Sequence, residues 1–266
     1  MNKKFDNRAN PGNLGGIRGA IHESPPTLAA LLAFTDPGVA TVVGRSGFDA
    51  VILDAEHGPF TLETLRHSLS ALESTPAYSM IRVAVNDPAL IKQVLELGPD
   101  AIVAPAISSG DEATAFVSAC RYPPDGTRGV GTGRASSYGL DEDYGRRANR
   151  TTAALAMVET AAGTDDIEAI CSVAGLDGIF IGPTDLAASL NVPLDSPELE
   201  AAIDRITSAA TAAGVPVGTN AAPEDIGRLI QKGMSLFVCF ADYDGLATSA
   251  AAAVDLARED SKHALS

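Results

Sequence analysis

The sequence predicts a single (β/α)8 TIM barrel. Eight short apolar runs recur along a chain of 266 residues. Each gives way to polar or Gly/Pro residues and then to a helical pattern. Most of the runs lack strict apolar/polar alternation, as expected for strands buried on both faces of a parallel sheet. Strand–helix repeats in this number and length match the barrel architecture. No linker or shift in composition divides the chain, so one domain is expected.

The elements follow in order. Residues 1–13, MNKKFDNRANPGN, are polar, lack the apolar core of a secretory signal and are read as a flexible lead-in. TLAALLAF (27–34) is the most ambiguous run, since it suits a helix as well as a strand. AVILDA (50–55) is the second strand. Thr61–Leu72 follows as a helix, with Leu62, Leu65, Leu69 and Leu72 at helical spacing and Thr61 as N-cap. SMIRVAV (79–85) is the third strand; Asp87-Pro88 then opens a helix that runs through Leu97 and stops at Gly98-Pro99. AIVAPA (101–106) precedes a helix over Asp111–Cys120. The stretch Gly126–Arg150 is rich in Gly, Ser and charge; its length between strands four and five makes it a candidate active-site loop. ALAMVET (154–160) precedes a helix over Asp165–Val173, and GIFIGP (178–183) a helix start at Thr184-Asp185. A helix over Pro197–Ala213 ends at Gly214; VPVGTN (215–220), a helix over Pro223–Lys232 and SLFVCFAD (235–242) complete the set. The barrel is assigned to residues 14–258 and a C-terminal tail to 259–266.

Charge narrows the function. Nineteen Lys and Arg against 34 Asp and Glu leave a net charge of −15. Such a surface repels phosphate backbones and anionic lipid, so nucleic acid and membranes are excluded as partners. A small anionic substrate is not excluded, because a local Arg or metal ion reverses the field inside a pocket. Cys120, Cys171 and Cys239 form no CxxC and suggest neither a disulfide framework nor a cysteine zinc site. No apolar run reaches the length of a membrane span, and a cytoplasmic protein is expected.

In a (β/α)8 barrel, side chains at the C-terminal ends of the strands face the active site. The runs end on Asp54, Glu56 and His57, carry Arg82, and end on Glu159, just before Asp185 and near Asp242. Glu159 and Asp185 are paired hard oxygens at adjacent strand mouths, a set that suits Mg²⁺, Mn²⁺ or Co²⁺; either also fits a helix cap. His57 suits a general base, a metal ligand or a structural histidine, with Asp54 or Glu56 orienting its ring. Arg82, within an apolar strand, needs a carboxylate partner: Glu159, Asp54 or a bound substrate. The turn Gly182-Pro183-Thr184-Asp185 presents backbone N–H groups to an anionic substrate at a helix start. No Lys lies in the strands of the site, which argues against a Schiff-base aldolase.

DAEHGP (54–59), RVAVNDP (82–88), RYPPDGTRGVG (121–131), RAS (134–136), VET (158–160) and GIFIGPTDLAASL (178–190) resemble the HpcH/HpaI aldolase family, in order, from about Thr27 to Ala257. The resemblance implies a metal-dependent class II pyruvate aldolase. Glu159 and Asp185 would hold the ion, and pyruvate would chelate it while its carboxylate meets the backbone at Thr184 and Asp185. Arg82 would neutralise the enolate oxygen and the carbonyl of the aldehyde acceptor, and His57, paired with Asp54, would organise proton transfers through a water on the ion. A 4-hydroxy-2-oxo acid would be cleaved to pyruvate and an aldehyde. The family also implies a homohexamer, a trimer of dimers, with C-terminal helices exchanged, for which Ser249–Arg258 is the candidate segment. This chain departs from the pattern at Leu31, where a Trp is usual; at Glu96, where an Asp is common at a place thought to reach a neighbouring subunit's site; in a shorter loop between RGVG and RAS; and in TNAAPED at the end of strand seven. Those departures leave open oxaloacetate decarboxylation coupled to carbon–carbon bond formation, as in macrophomate synthase. A keto-acid binder without turnover is the remaining alternative.

Overall fold

The computed structural model describes residues 15–22 and 26–264. The expectation for residues 1–13 lies outside that range, as does the end of the tail at 265–266. Eight parallel strands close in sequence order, with β1 paired to both β2 and β8. They are β1 Thr27–Leu32, β2 Ala50–Asp54, β3 Tyr78–Arg82, β4 Ala101–Ala104, β5 Ala153–Val158, β6 Gly178–Ile181, β7 Val217–Asn220 and β8 Leu236–Ala241. The ambiguous first run is therefore a strand. Its neighbours on both sides supply the ladder, so tertiary pairing decides what the local pattern leaves open.

The helices, in order, are α1 Gly16–Ala20, α2 Pro37–Arg45, α3 Leu62–Glu73, α4 Pro88–Leu95, α5 Gly110–Cys120, α6 Tyr144–Thr151, α7 Ala161–Asp165, α8 Ile167–Cys171, α9 Pro183–Leu190, α10 Pro197–Ala212, α11 Ile226–Gln231 and α12 Asp242–Ala264. The caps explain the starts. Thr61 accepts from the Thr64 N–H in a capping box, and Asp87 accepts from the Leu90 N–H before Pro88. Two helical expectations change. In place of one helix over Asp165–Val173 there are two short ones, α7 and α8, separated at Asp166, whose φ of −99° and ψ of 16° are not helical. Pro223–Lys232 opens as a 3₁₀ turn over Pro223–Asp225 before α11.

Alternate residues of every strand but β7 feed two separate cores. Leu53, Ile81, Ile102, Ile179 and Phe237 pack outward against the helices. Ile52, Met80, Val103, Met157, Phe180 and Val238 point inward and fill the barrel. Ile17 and Ile21, from and just after α1, are fully buried against that inner cluster and close one end of the barrel. At that end, Asp177 accepts from Arg18 and Arg121 at 2.6 Å each.

The segment from Arg121 to Thr152 corrects an expectation. It follows α5 and leads into β5, so it belongs to the N-terminal end of the barrel, opposite the mouth. It is not a loop of this subunit's own site. Its residues are structural at that end: Arg128 is fully buried, 4.3 Å over the Tyr122 ring, and donates to the Leu95 carbonyl at 3.0 Å. Arg134 donates to the Leu97 carbonyl and pairs with Glu73 at 2.7 Å. Glu96, the C-cap of α4, faces Arg128 at 3.3 Å in this same region.

Candidate active site

The mouth is built by the ends of β2, β3, β5 and β6. Asp54 and Arg82 lie opposite each other in the β2–β3 register. Arg82 donates from Nε to Asp54 Oδ1 at 2.9 Å and from Nη2 to Oδ2 at 2.8 Å, a bidentate fork. Its third nitrogen, Nη1, lies 3.1 Å from Glu56 Oε2 and 4.0 Å from Met157 Sδ. Burial works against the Arg82 charge, but the hydrogen bonds and charge of Asp54, with Glu56 behind them, hold its pKa above the ordinary value. Of the partners open in the sequence, Arg82 has taken Asp54.

Asp54 is thereby fully engaged. Beyond the fork it accepts the backbone N–H of Glu56 at 3.2 Å and of His57 at 3.3 Å. This tight turn needs Gly58: a Cβ there would stand 2.4 Å from the Asp54 carbonyl oxygen. The pairing of the His57 ring with Asp54 is corrected accordingly. The ring is 65% exposed, and its Nε2 stands 3.8 Å from Glu56 Oε2. Asp54 reaches only the His57 backbone, because Arg82 occupies both carboxylate oxygens.

Glu159, just past β5, is 5% exposed. Its Oε1 accepts the Ala106 N–H at 2.8 Å, and Ala106 adopts a left-handed backbone with φ of 55°, a strained state for a residue with a Cβ. No signal in the sequence picks out Ala106 as this partner. Gly182 packs against the same carboxylate: a Cβ there would meet Glu159 Oε2 at 2.4 Å and Met157 Cε at 2.6 Å. Gly182 therefore lets Glu159 lie against the start of α9, which carries Thr184 and Asp185 on its exposed first turn. Those N–H groups have no intrahelical acceptors, so this end of α9 faces an anion favourably.

Burial raises the Glu159 pKa to about 7; the Ala106 N–H opposes this, and the charges of Glu56 and Asp185 add to it. Burial also raises that of Glu56, against Arg82 and His57 and with Asp54 and Asp185. Glu56 Oε2 is buried and makes no hydrogen bond, its contact with Arg82 being off the N–H axis. The mouth is thus short of positive charge where Glu159, Asp185 and Glu56 converge. A divalent cation fits that deficit. Among the described residues no group of three or more His, Cys, Asp or Glu forms a ready-made cage. Two carboxylates leave the remaining positions of a hard cation to water and substrate oxygens.

Asp242, at the end of β8, has another task. It accepts the N–H groups of Ala33 at 3.0 Å and Phe34 at 2.8 Å and so ties the loop after β1 to the start of α12. No helix among the described residues is long and apolar enough to cross a membrane.

Comparison with known proteins agrees with this fold. The family model for HpcH/HpaI aldolase/citrate lyase matches residues 31–238. A hydroxypyruvate/pyruvate aldolase of Roseobacter denitrificans is 36% identical over 213 residues, 77% of this chain and 83% of that protein. A 4-hydroxy-2-oxovalerate aldolase of Novosphingobium aromaticivorans is 41% identical over 177 residues, 66% of this chain and 68% of that protein. The crystal structure of an HpcH/HpaI aldolase/citrate lyase family protein from Burkholderia cenocepacia superposes with a TM-score of 0.86 at 31% identity, covering 91% of this chain and 98% of that one. With its closed eight-stranded barrel and its match over most of its length, the chain belongs to the HpcH/HpaI aldolase/citrate lyase family.

Proposed function

We propose that the chain is a divalent-metal-dependent aldolase that cleaves a 4-hydroxy-2-oxo acid to pyruvate and an aldehyde, and runs the reverse condensation. The observation that carries the reading is the contact between Gly182 and Glu159, which sets a buried carboxylate against the helix start bearing Asp185. Glu159 and Asp185 hold the ion. A bound Mg²⁺, Mn²⁺ or Co²⁺ supplies a Lewis acid that polarises the keto group. The backbone N–H groups of Thr184 and Asp185, beyond the close turn at Gly182, receive the substrate carboxylate. Arg82, held rigid by Asp54, presents positive charge to the oxygen on which the enolate develops. His57, exposed at the rim beside Glu56, takes the proton of the C4 hydroxyl as the C3–C4 bond breaks. His57 returns that proton to C3 of the enolate, which gives pyruvate. Both relatives named above are aldolases, which favours aldehyde chemistry over the decarboxylative alternative and over a silent binder.

The test is exchange of the pyruvate methyl protons in D₂O, followed by NMR after chelation and again with Mg²⁺ or Mn²⁺. Exchange that requires the ion supports the reading; no exchange with any ion overturns it. A cytoplasmic homohexamer built with exchanged C-terminal helices belongs to the same proposal. In its support, α12 runs without a break from Asp242 to Ala264, through the whole of Ser249–Arg258, and leaves Leu246, Val254 and Leu256 exposed. Deleting residues 246–266 should lower the mass measured by light scattering; an unchanged mass would remove the helix from assembly.

A further inference from the structure

The ionisable groups of the mouth come from β2, β3, β5 and β6. The sector formed by β7, β8 and β1, consecutive in the closed barrel, is of different character. Leu31, Asn220 and Val238 share the barrel floor with Arg82. The same three residues also line a cavity of about 750 Å³ that extends past the ends of β7 and β8 to the first turns of α12. The two spaces therefore meet at Leu31, Asn220 and Val238, which stand between Arg82 and the rim. Among the described residues the one charge lining the larger cavity is the carboxylate of Asp244, while Ala221, Phe240 and Tyr243 add apolar surface. Phe34, tied through its N–H to Asp242, is 41% exposed at this rim. Asp242 itself is closed off by its backbone bonds.

We propose that this sector is the acceptor subsite and that it selects uncharged aliphatic aldehydes over carboxylated or phosphorylated ones; the inference rests on the aldolase reading above. The substrate carboxylate and keto group are held on the β5–β6 side, so the acceptor must approach Arg82 from the free sector. Arg82 is the cation within its reach, and two carboxylates already compensate it. A second anionic group on the acceptor would find no counter-charge there and would face Asp244. Leu31 and Val238, which line both spaces, limit the bulk that can reach Arg82. Asn220, exposed at the end of β7, offers an amide that both donates and accepts, which suits a neutral hydroxyl or carbonyl.

The experiment compares kcat/KM of the Mn²⁺-loaded enzyme for condensation of pyruvate with butanal and with 4-oxobutanoate, which match in chain length and differ in charge. Butanal should be preferred by about tenfold or more. Equal use of the two, or a preference for 4-oxobutanoate, overturns the proposal. Asn220→Lys should move the ratio about tenfold towards 4-oxobutanoate, and Leu31→Trp should penalise hexanal about tenfold more than acetaldehyde. Ratios unchanged in both variants would remove this sector from the acceptor path. Methyl-proton exchange in pyruvate, run alongside, separates the failures. Exchange with the wrong acceptor preference sinks only the subsite, whereas absent exchange sinks the aldolase reading and the subsite with it.

Discussion

Arg82 and Asp54 face each other across the β2–β3 register and are joined by two parallel hydrogen bonds of 2.9 and 2.8 Å. Asp54 is 3% exposed, and the Arg82 side chain 12%. Removing one partner leaves the other charged and poorly solvated. Asp54→Ala should destabilise the protein by about 3 kcal/mol in urea unfolding. Arg82→Lys, which keeps the charge but cannot form the fork, should lower kcat by about 100-fold or more. A lysine variant of normal kcat would show that the bidentate geometry has no catalytic role.

Glu159 makes stability depend on pH in a definite direction. Its carboxyl is pushed up to about 7 by burial, so the folded protein keeps a proton that the unfolded chain gives up near the ordinary value of 4.5. Its contribution is full below 4.5 and is lost as pH rises through about 7. The chelated protein should therefore melt lower at pH 8 than Glu159→Gln, by on the order of a few degrees, with the gap closing at pH 4.5. Added Mn²⁺ should raise the melting temperature of the wild type at pH 8 and not that of Glu159→Gln. Equal metal stabilisation of both would overturn the ligand assignment.

Gly182→Ala tests the close approach. The backbone at 182, with φ of −100°, accepts an alanine without strain, so the cost comes from the 2.4 Å contact with Glu159 Oε2 and the 2.6 Å contact with Met157 Cε. We expect a loss of about 1–3 kcal/mol in stability. Metal affinity by calorimetry should fall by about tenfold or more, since displacing a ligating carboxylate is felt directly. An alanine variant with unaltered metal binding would dissociate Gly182 from the site.

His57 is the converse case. Its side chain is largely exposed and its ring makes no close hydrogen bond to Asp54. His57→Ala should change stability by less than about 0.5 kcal/mol. It should slow metal-dependent proton exchange at the pyruvate methyl by about 100-fold or more. Exchange at the wild-type rate would take His57 out of the proton path.

The site was partly legible before the fold was known. VILDAEH and ALAMVET place Asp54 and Glu159 at strand ends by local pattern alone, and parallel βα repeats bring all such ends to one face; SMIRVAV instead places Arg82 inside its run, and the structure ends β3 at Arg82. The same order of elements puts Gly126–Arg150 at the other end, since a helix over 111–120 stands between it and β4; richness in Gly and charge marks a loop but not which end of the barrel it occupies. The role of Gly182 was legible as a turn but not as the clearance beside Glu159, because the two are brought together only by the β5–β6 pairing.

The sequence by itself determined the barrel, its eight strands and the set of ionisable residues at its mouth, because burial pattern, turn residues and caps are local properties of short segments. Only the tertiary structure decided which of those residues are partners. Arg82 chose Asp54 over Glu159 through a register set between strands 28 positions apart. His57 was left exposed at the rim beside Glu56 by that choice, and Asp242 was committed to the loop after β1. Each outcome depends on distances of a few ångströms between segments remote in sequence, which periodicity does not encode.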